Sequence, residues 1–200
     1  MAAVWLVRHA VPLIAPGTCY GRLDMPADAV ATRQAAEALA AALPAGTVVW
    51  SSPRQRCTAL AHALRSLRPD LPYRQDARLA EMDFGDWEGR AWNALPRAAL
   101  DAWTADFAHD APGGGESVAV FLARVAAAWD ALPPDMPVAW IAHGGVARAA
   151  TLIAQGRRHI ARSEDWPHDG PGFGAWVVVD RTTGAVLDAA PTKDAARMTG

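Results

Sequence analysis

The chain predicts an α/β protein: a three-layer α/β/α sandwich with a mostly parallel sheet. Three observations carry this. Short, nearly continuous apolar runs, "AVWLV", "TVVW" and "PVAWIA", lack the in-out alternation of a half-exposed strand, so they read as strands buried on both faces. Segments with helical periodicity stand between them, as parallel crossovers require. The chain has 200 residues, 52% hydrophobic and 20% charged, enough to bury one substantial core.

The elements follow in order. "AVWLV" is a buried strand that runs into Arg8 and His9. Residues 10–27 are irregular and rich in proline. Residues 28–43 form a helix that Asp28 can cap. "TVVWSS" is the second strand, and residues 53–67 form a helix opening on Pro53, a favoured first-turn residue. "YRQDARL" is a weaker extended piece. The stretch 81–107 holds turns and one or two helices, with Pro96 breaking or starting one. Residues 116–132 make an amphipathic helix with Val118, Phe121, Leu122, Val125, Trp129 and Leu132 on one face. "PVAWIA" and the helical "GGVARAATLIA" come next. "GAWVVVD" and "AVLDA", joined through "RTTG", read as a hairpin at a sheet edge. No repeat or linker interrupts the chain, so residues 1–200 are expected to be a single domain, with a loose tail after about 190.

Composition narrows the function. A net charge of −2 gives no basic field for nucleic acid or a membrane surface. No run is long and apolar enough to span a bilayer, and the N-terminus lacks the features of a signal peptide. The two cysteines, Cys19 and Cys57, form no C-x-x-C pair, which suits a reducing cytoplasm.

In parallel sheets ligands gather beyond the carboxyl ends of the strands. There the first strand delivers Arg8 and His9. The second leads through Ser51 and Ser52 to Arg54 and Arg56, and the "PVAWIA" strand delivers His143, Gly144 and Gly145. Guanidinium forks, a helix N-terminus and glycines that admit close backbone approach outline an anion site. Two histidines beside it imply chemistry more than storage.

The segments "LVRHA" (6–10), "SSPRQR" (51–56), "AEMDFGDWEG" (80–89), "GGESVAVFLARV" (114–125) and "IAHGG" (141–145) together resemble the histidine phosphatase superfamily, the phosphoglycerate-mutase-like fold, in the family's own order. "CYGRLDMP" (19–26) is similar to the CYG-x-x-D stretch of alpha-ribazole phosphatases, which remove a phosphate late in assembly of cobalamin's nucleotide loop. The asparagine-bearing stretch after the first histidine and the long middle insertion of phosphoglycerate mutases do not occur here, which favours a phosphatase.

The resemblance implies that His9 is the nucleophile of a phosphohistidine mechanism. It implies that Arg8, Arg56 and His143 hold the phosphoryl oxygens, and that Glu81 is the general acid and then the base. No metal or cofactor is called for. His9 meets opposing demands, because a bound phosphate dianion raises its pKa and the arginines lower it. Glu81 must carry a proton in the first step, so activity is expected on the acidic to neutral side.

Family spacing selects Arg56 over Arg54, and Glu81 from a cluster with Asp83, Asp86 and Glu88. Tyr20, Gly21 and Trp87 are candidates for the substrate pocket, with Cys19, Trp92 and Trp103 also in reach of it. Trp5, Trp129, Trp140 and Trp176 read as core, and Cys57 as a small buried helix residue. "GGGES" is either a flexible loop in which Ser117 or Glu116 caps the next helix, or a loop near the phosphate. The basic run 156–162 reads as a solvated face, and His62, His109, His159 and His168 receive no role. A small phosphorylated substrate is the expected partner, and a homodimer stays open. Two alternatives remain: a phosphatase of other specificity on the same fold, and a non-catalytic phosphate-binding protein.

Overall fold

The computed structural model describes residues 3–189. The expected loose tail after about 190 lies outside them. Six strands form one sheet in the order β3-β2-β4-β1-β5-β6: β1 (Ala3–Arg8), β2 (Val48–Ser51), β3 (Tyr73–Gln75), β4 (Val138–Ala142), β5 (Trp176–Asp180) and β6 (Val186–Ala189). The β3-β2-β4-β1 half is parallel. β5 and β6 add an antiparallel hairpin, with β6 at the sheet edge as its sequence predicts.

The apolar runs need both faces covered, and two core clusters cover them. Val4, Leu6, Trp50, Val138, Trp140 and Val179 face α4 (Val118–Asp130) and α5 (Gly144–Ala154). Their neighbours along the strands, Trp5, Val7, Val49, Ala139, Ile141 and Val178, face α1 (Ala29–Ala42) and α2 (Gln55–Leu67). Alternate residues of each strand thus feed opposite layers, which is the period-two geometry of a strand at the centre of a sandwich. Trp140 is fully buried, 5.9 Å from Trp129 and 6.2 Å from Trp50 between ring centroids. Truncating it to alanine would cost about 3–5 kcal/mol, the usual range for a buried aromatic.

Local signals set the helix starts. The Asp28 carboxylate accepts from Ala31 N at 2.7 Å, and Ser117 Oγ from Val120 N at 3.4 Å; caps of this kind contribute about 1 kcal/mol each. The predicted face of α4 is buried at all six positions. α3 (Arg97–Ala105) begins just after Pro96. The α2 boundary differs from expectation. The helix starts at Gln55 with Arg54 as its cap, so Pro53 lies one residue before the cap rather than in the first turn. "YRQDARL" gives a three-residue strand and then a short 3₁₀ turn, Ala77–Leu79.

"GGGES" has its own packing reason. Gly113, at φ 63°, and Gly85, at φ 52°, press their backbones together, and a Cβ at either would overlap the other loop. The segment braces the 83–87 turn, with Glu116 N donating to Asp83 O at 2.8 Å. Its Glu116 forms a two-point ion pair with Arg124, at 2.7 and 2.8 Å.

Candidate active site

Parallel pairing of β1 with β4 sets Arg8 opposite Ala142, so the residues just beyond, His9 and His143, emerge side by side. His9 N donates to Ala142 O at 3.0 Å, and the two imidazoles lie 5.2 Å apart, edge to face. Both residues are about 1% exposed.

His9 Nδ1 sits 2.7 Å from the carbonyl oxygen of Ala10. A carbonyl only accepts, so Nδ1 carries the proton and Nε2 keeps its lone pair. Burial first, and then the positive charges of Arg56 and Arg8, lower the His9 pKa to about 3, against the raising effect of the Ala10 hydrogen bond. The ring is therefore a neutral base with its far nitrogen free. Burial also drives His143 well below the ordinary histidine range, helped by His9 and Arg56.

Arg8 is clamped by a loop that the sequence reading missed. Phe173 lies flat under its guanidinium, with Cζ 3.7 Å from the ring centroid, and Pro171 O accepts from Nη1 at 3.4 Å. Gly174 N donates to both Arg8 O and His9 O, at 3.2 and 3.0 Å. This "GPGFG" loop (170–174) locks the catalytic end of β1. The Arg8 Nε is buried with no hydrogen-bond partner among the described residues, which leaves a donor for an anion.

Glu81 reaches the same point from the 80–84 segment. Its Oε2 accepts from Gly145 N at 2.9 Å and its Oε1 from Met82 N at 3.1 Å. The carboxylate thus sits at the N-terminus of α5. A Cβ on Gly145 would lie 3.0 Å from the Glu81 Cδ and closer still to Oε1, so a side chain there would push the carboxylate from its place.

Arg56 is fully buried and, like His143, is not among the residues that line the cavity. Its Nη1 donates to Leu23 O at 2.8 Å and its Nη2 to Gly21 O at 2.6 Å, which fastens the 20–25 loop, while Nε has no partner. Its charge reaches both histidines from beneath. Asp24 of the same loop accepts from Gln55 N at 2.9 Å. The "CYGRLD" stretch is thereby tied to the start of α2.

A cavity of about 510 Å³ opens on these groups. Arg8, His9, Glu81 and Gly145 form its polar end, with Arg148 beside them. The opposite wall is aromatic: Phe84, Trp92, Trp103, Phe107, Phe121 and Trp166. Tyr20 is on its lining. Gly21 and Trp87 are not. Gly21 packs its backbone against the Met82 carbonyl, and Trp87 is buried in a side cluster with Cys19 and Leu95. His168, given no role from sequence, is on the wall with Arg148 and Trp166. A larger hollow of about 680 Å³ at His62, Arg65 and Tyr73 contains none of these reactive groups. Among the described residues no cluster of three His, Cys, Asp or Glu could hold a metal, and both cysteines are buried and free. No helix among them is long and apolar enough to cross a membrane.

A paired-histidine, arginine-rich site at the ends of parallel strands defines a phosphoryl-transfer centre in an α/β sandwich. The chain belongs to the histidine phosphatase superfamily (branch 1), whose model matches residues 4–184. It is 33% identical over 173 residues to a glucosyl-3-phosphoglycerate phosphatase of Mycolicibacterium vanbaalenii, covering 78% of this chain and 74% of that one. Among solved structures it resembles the TTHB049 protein of Thermus thermophilus, at 31% identity and TM-score 0.72, over 94% of this chain and 98% of the other. It also resembles a mycobacterial glucosyl-3-phosphoglycerate phosphatase, at 29% identity and TM-score 0.71, over 88% and 89%. The family and the phosphatase among its relatives make the chain a phosphoric monoester hydrolase.

Proposed function

We propose that the protein hydrolyses phosphomonoesters through a phosphohistidine on His9. The observation that carries this is the His9 ring itself: neutral, its Nδ1 proton tied to Ala10, its Nε2 lone pair unused. In the first step Nε2 attacks phosphorus in line. The N–P bond forms, the bond to the ester oxygen breaks, and Glu81 gives its proton to the departing alkoxide. In the second step water attacks phosphorus, Glu81 takes the water proton, the N–P bond breaks and inorganic phosphate leaves. Arg8 and His143 stabilise the charge that develops on the phosphoryl oxygens, with Arg56 adding its field from below. Positive side chains supply what a metal would otherwise supply.

For the leaving group, the aromatic wall favours a flat, ring-bearing alcohol over a freely hydrated one. With the "CYGRLD" stretch, this supports alpha-ribazole 5′-phosphate as the substrate. Glucosyl-3-phosphoglycerate is the second reading, and it rests on the relatives that act on it. Phosphate release in EDTA from both esters, beside sugar phosphates, nucleotides and phosphopeptides, tests the proposal. The expected result is a preference for the ribazole ester that His9→Ala abolishes. Preference for the glucosyl ester would replace the substrate and keep the mechanism. Activity that survives in His9→Ala would discard the mechanism.

A further inference from the structure

His143 is held from behind by a residue to which no role has been given. Parallel pairing of β2 with β4 sets Ser51 opposite Ile141, and one step on Ser52 N donates to Ile141 O at 3.0 Å. The same register brings Ser52 Oγ to 2.8 Å from His143 Nε2, with both residues buried.

The direction of that hydrogen bond follows from the rest of the Ser52 environment. Arg54 N donates into Ser52 Oγ at 3.3 Å, so that contact uses a lone pair and not the hydroxyl proton. A hydroxyl has one proton to give. Cys57 Sγ lies 3.6 Å from Nε2 and 3.9 Å from Nδ1, and its own proton has the Ala142 carbonyl as acceptor at 3.4 Å. The Ser51 hydroxyl is engaged with the Ser52 carbonyl at 2.8 Å. Two acceptors stand near the Ser52 proton, Cys57 Sγ and His143 Nε2, and the imidazole nitrogen at 2.8 Å is the stronger, since sulfur accepts only weakly.

We infer that Ser52 donates to Nε2 and so fixes His143 as its Nδ1–H tautomer, making Ser52 a positioning residue for phosphoryl transfer. In this tautomer the ring has a proton to offer an anion. In the opposite tautomer Nε2–H would point back at Ser52, and a lone pair would be the only group left to meet the phosphoryl oxygens. Burial, which keeps His143 neutral, makes the choice matter, because a doubly protonated ring would donate from both nitrogens. The inference rests on the phosphohistidine reading for its catalytic consequence but not for the tautomer itself.

Proton-correlated ¹⁵N spectra of imidazole-labelled protein read the tautomer in the free protein, with His143→Gln assigning the signals. Wild type should show a protonated Nδ1 and a bare Nε2. Ser52→Ala should show a mixture or the reverse. Ser52→Thr keeps a hydroxyl and should restore both the tautomer and most of the activity. In Ser52→Ala, kcat should fall about 10- to 100-fold with little change in KM, part of the ~10²–10³ typical of losing a transition-state donor outright. A protonated Nε2 in wild type overturns the inference without any variant, so a Ser52→Ala protein that failed to fold would not protect it. An unchanged tautomer in Ser52→Ala would also overturn it. A correct tautomer in a protein that never forms phosphohistidine would fail the mechanism alone.

Discussion

Replacing His9 with glutamine should flatten the acid side of the stability curve. The folded His9 pKa is about 3, against 6.5 for a free histidine. Above pH 7.5 neither state binds a proton at this ring, and it contributes nothing to the pH dependence. As pH falls through 6.5 the unfolded chain takes up a proton that the folded ring refuses. Stability is therefore lost between about pH 6.5 and 3, and the loss levels off only below the folded value. At pH 4.5, two units below the unfolded pKa, the loss is about 3 kcal/mol at ~1.4 kcal/mol per unit. Urea unfolding of wild type and His9→Gln at pH 8 and pH 4.5 measures it. The wild type should lose about 3 kcal/mol more than the variant between the two conditions, with similar m-values. Parallel losses would refute the reasoning, since they would mean that the folded ring protonates as freely as the unfolded one. The same buried ring has a kinetic corollary: no ionisation of free His9 should appear in the kcat/KM profile above pH 4.

Other perturbations act on the geometry around that ring. Gly145→Ala drives a methyl into the Glu81 carboxylate, so kcat should fall about 10²-fold or more, the usual worth of a placed general acid. The fall should be smallest for an aryl phosphate whose leaving group needs no proton, and an equal fall on aryl and alkyl esters would count against Glu81 as the acid. Phe173→Leu removes the face on which Arg8 rests and should cost about 0.5–2 kcal/mol of phosphate affinity, the range for a cation–π contact. Calorimetric titration with inorganic phosphate checks this, and unchanged affinity would deny the clamp.

What the sequence disclosed was what local chemistry or strand order controls. Asp28 and Ser117 announce their helices because a cap acts on amides three residues away. Arg8, His9 and His143 were legible because they stand at the ends of unbroken apolar runs, and such strands were bound to lie in one sheet. The sequence did not show which donors of Arg56 were already taken, because their acceptors, Gly21 and Leu23, lie more than thirty residues away in a loop without periodicity. Trp87 and Trp92 looked alike by position. Short 3₁₀ turns then direct Trp87 into a side cluster and leave Trp92 on the cavity wall. Phe173 and His168 were missed because their segment returns to the site only through tertiary packing against the end of β1. Arg148 gave a faint signal: it is four residues beyond Gly144, about one turn of α5 further on.

The central claim is that His9 Nε2 takes the phosphoryl group from substrate. Rapid quenching of turnover with a radiolabelled phosphomonoester, followed by peptide mapping, tests it most directly. The account predicts label on His9 that is stable in alkali and lost in mild acid, as a phosphorus–nitrogen bond requires, and no label in His9→Ala. Label on another residue would contradict the account, as would His9→Ala turning over near the wild-type rate.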